Sequence, residues 1–278
     1  MRLCYLFLLL FVVASSATAG TPAQPGVVIR VQEGGWGSGR PQEIESVLHS
    51  VADILLTRMP GRLARPVVVS HSELNPVALY DRGPGGEYLI HLHAGGDRWH
   101  LYVFEFAHEF CHLLSNYDVN VDGASRRRNQ WFEESLCETA SLYALENLGA
   151  QWQRSPPPFV PPQQAGDLRR FFDLLVGERH RRLPPETRFA AWLNDNEPLL
   201  RRDPYQRDKN DVIALRLLPL FERSPQGWEA VGYLNLDPTD NGAPLDAYLA
   251  HWYEHAPPRH KSFVAGVMEV FGAGAAGR

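Results

Sequence analysis

Hydrophobic positions along the chain change period several times, and each change marks an element. Residues 41–55 place Ile44, Val47, Leu48, Val51, Ile54 and Leu55 on one helical face behind Pro41. Met59-Pro60-Gly61 stops that run. Short segments rich in β-branched residues predict strands at 27–31 (VVIRV) and 65–70 (RPVVVS), and the alternating YLIHLH at 88–93 predicts a third. The glycine-rich GGWGSGR between the first strand and the helix matches neither the Walker nor the dinucleotide spacing, so it reads as a plain loop. Ala94-Gly95-Gly96-Asp97 turns the chain. Residues 99–117 then form a long helical run too apolar to lie on the surface.

The second half is helical in pattern. A polar loop at 118–129 precedes a helix at 131–148, which Gly149 is expected to close. SPPPFVPPQQ at 155–164 excludes a helix or a central strand and reads as a stiff linker or a flap over a cleft. Helical patterns follow at 167–176, 186–194, 211–223, 228–233, 245–255 and 261–271, with no internal repeat. The expected fold class is α+β: an N-terminal α/β lobe with a mixed sheet (20–120), then a mostly helical lobe (121–278).

The first residues belong to a different kind of segment. Arg2, an apolar run over 3–14 and Ala17-Thr18-Ala19 have the layout of a secretory signal peptide over 1–19. The run is short for a membrane span, and no other stretch approaches the required length. The expected location is the periplasm or the extracellular medium. Lys and Arg number 27 against 32 Asp and Glu, a net charge of −5, so there is no basic excess to bind nucleic acid. The one tight basic cluster, Arg126-Arg127-Arg128, reads as a solvated loop.

Candidate chemistry sits in the apolar helix, at His108-Glu109-Phe110-Cys111-His112. Residues i and i+4 share a helix face, so both histidines can reach one metal ion. Zinc takes nitrogen and oxygen ligands in a tetrahedral site. Glu109, next to the first ligand, can accept a proton from a water activated there. A chance HExxH has a probability on the order of a few per cent in such a chain. Burial of the surrounding helix sharpens the case, because two imidazoles and a carboxylate are costly to bury without a partner.

Downstream, Trp131-Phe132-Glu133-Glu134-Ser135-Leu136-Cys137-Glu138 resembles the second signature of the gluzincin metallopeptidases, W-x-x-E-G-x-A. Trp131, Glu134, Ser135 and Cys137 occupy its four positions, with Ser for Gly and Cys for Ala. The resemblance covers about residues 88–148. It implies a zincin-like fold and a zinc site of His108, His112 and Glu134, with Glu109 as general base. Glu138, four residues after Glu134, resembles the thermolysin-type acid that orients a ligand histidine. Glu133 competes with Glu134 for the ligand role, and periodicity does not separate them. The resemblance also places 88–93 at the cleft edge, where extended substrate would pair with it. His91 and His93 read as strand residues.

If His112 and Glu134 bind one ion, their helices are neighbours and Cys111 and Cys137 come close. They are then either a disulfide, closing a loop of about 26 residues and contributing about 3.5 kcal/mol, or two buried thiols. For the oxyanion of peptide hydrolysis the family aims a Tyr or His from the C-terminal lobe. Tyr205, in YQRDKND, is the candidate, with His251, Tyr253 and His255 as alternatives. RGPGGEYLIHLH carries no G-x-M-E-N segment, which disfavours an aminopeptidase. The expectation is an exported zinc metallopeptidase acting on a peptide or protein. The alternative is a zincin-like binding or scaffold protein that hydrolyses nothing.

Overall fold

The computed structural model describes residues 26–56, 59, 62–119 and 127–273. The expected signal peptide and Arg126 lie outside these residues.

A small sheet opens the chain. β1 (Ile29–Val31) leads through α1 (Pro41–Leu56) to β2 (Val67–His71), and β3 (Val77–Ala78) precedes β4 (Tyr88–Leu92). The strand order is β1-β2-β4-β3. β1, β2 and β4 are parallel, whereas β3 runs antiparallel to β4. The sheet is therefore mixed, and the fold is α+β as expected. β4 has a neighbour on both sides, so the edge expected at 88–93 belongs instead to β3. Two residues, Val and Ala, carry too little pattern to announce a strand.

α2 (Trp99–Leu114) follows, then α3 (Gln130–Trp152), α4 (Gln164–Gly177) and a 3₁₀ turn at Arg179–Arg181. The chain continues through α5 (Phe189–Arg202), α6 (Arg207–Arg223), α7 (Gly227–Val231), α8 (Leu245–His255) and α9 (Pro258–Val270). α2 is shorter than its apolar pattern. Asn116 turns out of the helix at φ 60°, and its side-chain amide donates to the carbonyls of Gly232 and Leu234 at 3.0 and 2.7 Å. Beyond it Tyr117 folds back to donate to the Leu79 carbonyl.

α3 is the central element. It packs against α2, α4 and α6, and residues 131–145 are buried on every side. Gly149 does not close it. The helix runs three residues further, and a Cβ at Gly149 would meet the Arg169 amide of α4 at 3.5 Å. The proline-rich segment turns over α1, where Ser46 Oγ donates to the Pro158 carbonyl at 3.0 Å. No residue of 155–163 lines the cleft, so the expected flap is a linker.

The contact at Gly149 is of ordinary van der Waals length, and the site is helical. Gly149→Ala is therefore expected to raise stability by about 0.5–1 kcal/mol, read from urea unfolding. A loss of stability would mean that α3 and α4 need closer approach there than their backbones show.

Candidate metal centre

One face of α2 floors a cleft of about 1560 Å³. Leu101, Phe104, Glu105, His108, Glu109 and His112 line it, at the three- and four-residue spacing of a single helix stripe. α3 crosses beside α2 and brings Glu134 to the two histidines. His108 Nε2 is 3.3 Å from Glu134 Oε2, and His112 Nε2 is 3.7 Å from Glu134 Oε1. One atom from each of the three side chains lies within 4.8 Å of the other two. Two imidazole nitrogens and one carboxylate at the base of a cleft are a donor set suited to zinc with a fourth position open.

Glu133 takes another part. Its Oε1 is 2.7 Å from His112 Nδ1, fixing the imidazole with Nε2 toward Glu134. Its Oε2 pairs with Arg127 Nη1 at 2.7 Å and accepts from Asn235 Nδ2 at 2.9 Å. Tyr248 holds that amide in turn, its hydroxyl donating to Asn235 Oδ1 at 2.8 Å. Burial opposes the charge on Glu133, but Arg127, His112 and Asn235 together hold its carboxyl down to about 2. Arg127 is thus buried and paired rather than part of a solvated loop. Glu138, expected to orient a ligand, stands 3.9 Å from His108 Nδ1, beyond hydrogen-bond reach, and is ion-paired to Arg181 at 2.7 Å.

Glu109 is 6% exposed, and its Oε2 accepts from the Ala78 amide of β3 at 2.7 Å. Burial raises its affinity for a proton, against the pull of His108 and His112. Tyr205 stands just ahead of α6, lines the same cleft and is 65% exposed, with its hydroxyl accepting from Gln130 Nε2 at 2.9 Å. The alternatives to it fall away, since His251, Tyr253 and His255 do not line the cleft. His251 pairs with Asp240 at 2.8 Å, and Tyr253 packs under Lys261. His93 lines the cleft but turns Nδ1 to the Ser72 carbonyl at 3.2 Å.

Cys111 and Cys137 form no disulfide. Both are free, buried thiols. Burial pushes the Cys137 thiol up, and its hydrogen bond with Cys111 adds to this. The pair fills space between α2 and α3 away from the ligand face.

The cleft also holds residues that the sequence did not single out. His180 Nε2 is 2.7 Å from Asp211 Oδ2, and Arg181 is buried beside them. They lie 31 positions apart, on the 3₁₀ turn and on α6, and no local spacing links them. Comparison with protein-family models, with curated proteins and with solved structures finds no match to the chain.

Two expectations follow for metal binding. Glu133→Gln removes the acid behind His112 and should weaken zinc affinity about 10- to 100-fold in chelator competition, with a loss of stability from the unpaired Arg127 read separately by urea unfolding. Burial lowers the His112 pKa, but Glu134, Glu133 and Glu109 outweigh it and push the metal-free imidazole up to about 10. Metal must displace that proton, so apparent affinity should rise about tenfold per pH unit between about pH 6 and 8. A flat profile would show that His112 is already neutral.

Proposed function

We propose that this chain is an exported zinc metallopeptidase of gluzincin type, with a zincin-like fold. The observation that carries this reading is the convergence of His108, His112 and Glu134 at the base of a cleft that also holds the buried carboxylate of Glu109. The signal-like N-terminal segment supports export to the periplasm or beyond.

His108, His112 and Glu134 would hold the metal. Bound there, zinc supplies Lewis acidity toward water and toward the scissile carbonyl. Glu109 takes the proton of the attacking water and passes it to the leaving amine. Its buried setting, which favours the protonated form, suits a base that must carry that proton between the two. Tyr205 lines the opposite, helical side, and its hydroxyl, which accepts from Gln130, keeps a proton to donate to the developing oxyanion; His180 lies on the same side. Asp211 fixes His180 through Nε2, so that ring is oriented before substrate arrives. β3 is an edge strand whose Val77 and Ala78 line the cleft, so an extended peptide would lie along it.

The Glu109 carboxylate argues against a purely structural metal site, which has no use for a base. Glu109→Gln is expected to keep about one zinc per chain while kcat on a casein-derived peptide pool falls by about 10³-fold or more. Tyr205→Phe should lower kcat by about 10²-fold with zinc content unchanged. Zinc bound without any peptide hydrolysis by the wild-type protein would reassign the chain as a binding or scaffold protein. Failure to bind zinc at all would end the metal reading.

A further inference from the structure

The helical side of the cleft carries buried charges that the metal ligands do not use. At their centre is Arg181, in the 3₁₀ turn between α4 and α5 and 4% exposed. Its Nη1 lies 2.7 Å from Glu138 Oε1 on α3 and 3.0 Å from Asp211 Oδ1 on α6. Its Nε donates to Glu178 Oε2 at 2.9 Å. Each of the two buried acids has another neighbour. The second oxygen of Glu138 stands 3.9 Å from Nδ1 of His108, and the second oxygen of Asp211 is 2.7 Å from Nε2 of His180. A series of charged neighbours therefore runs from a candidate metal ligand to the cleft histidine, His108, Glu138, Arg181, Asp211 and His180, hydrogen-bonded at Glu138–Arg181 and Asp211–His180. All five line the cleft.

Two carboxylates buried this close are unstable without a cation between them. Burial and the neighbouring Glu138 push the Asp211 carboxyl up to about 6, and Arg181 and His180 pull it back. A guanidinium does more than neutralise. Its donors leave one rigid plane in fixed directions, so Glu138 is held at a set angle while Asp211 is met as an ion pair; an ammonium would supply charge without that geometry.

We infer that Arg181 is a positioning residue that sets the α3 wall, with Glu138 beside His108, against the wall carrying Asp211 and His180. This rests on the reading of His108, His112 and Glu134 as the zinc site. The ligand geometry and the orientation of His180 then share one buried anchor, and disturbing the anchor disturbs both.

The test uses the full mature chain with Arg181→Met, Arg181→Lys and, as a control on the less buried arm, Glu178→Gln. Zinc affinity is read by chelator competition. In metal-free protein the His180 ring is read by long-range ¹⁵N–¹H spectra, and the Asp211 carboxyl by ¹³C titration. Arg181→Met should weaken zinc about tenfold, raise the Asp211 titration by about one pH unit and release the His180 ring from a single tautomer. Arg181→Lys keeps the charge, so the Asp211 titration should stay close to wild type while zinc affinity still falls. Glu178→Gln should change zinc affinity less than about twofold. Wild-type zinc affinity in Arg181→Met, or equal losses in Glu178→Gln, would overturn the inference. Should Arg181→Met fail to fold, wild-type zinc affinity in Arg181→Lys overturns it. Absence of zinc from the wild-type chain sinks the underlying reading instead, and is thereby told apart.

Discussion

The approach of α2 to α3 sets the geometry of everything in the cleft. At the crossing, side chains are small: Cys111 of α2 touches Cys137 of α3, and Ser141 Oγ donates to the Phe104 carbonyl at 2.7 Å. A larger side chain at either cysteine would hold the helices apart and open the gap between Glu134 and the two histidines. Cys137 is accommodated at the crossing because its thiol finds a partner across the interface. The same crossing brings Glu133 onto His112, so one helix contact supplies both a candidate ligand and the acid behind another.

Such a centre concentrates charge in the interior, and the fold balances it with two arginines. Glu109, Glu133, Glu134 and Glu138 are all buried, next to two histidines. Arg127 answers Glu133 on one flank, and Arg181 answers Glu138 and Asp211 on the other. Neither pairing adds much stability relative to an apolar core of the same shape, but losing one partner leaves an uncompensated buried charge. Their value lies in direction: each guanidinium fixes a carboxylate that in turn faces an imidazole.

Much of this was legible in the sequence, and the rest was hidden for physical reasons. The HExxH spacing works because it is local to one helix, and the structure brings His108, His112 and Glu134 together as the spacing and the resemblance implied. Glu133 and Glu134 could not be told apart by periodicity because α3 is buried all round, so neither face marks itself as core. Arg127 looked like a surface residue because its partner is a buried acid on the helix that follows. Gly149 resembled a helix stop, yet it lies inside α3, which packing against α4 carries on to Trp152. His180 and Asp211 meet only through tertiary packing. β3 was too short to see, and its presence moved the sheet edge away from YLIHLH.

The burial of α3 also decides how the centre is lost. A ligand on a surface loop can leave by local fraying, but Glu134 sits in a helix enclosed by α2, α4 and α6. Its backbone amides meet solvent only when those helices separate, which is the unfolding of the domain itself. Slow hydrogen exchange across α3 and the standing distance of Glu134 from the two histidines are then governed by one and the same opening event.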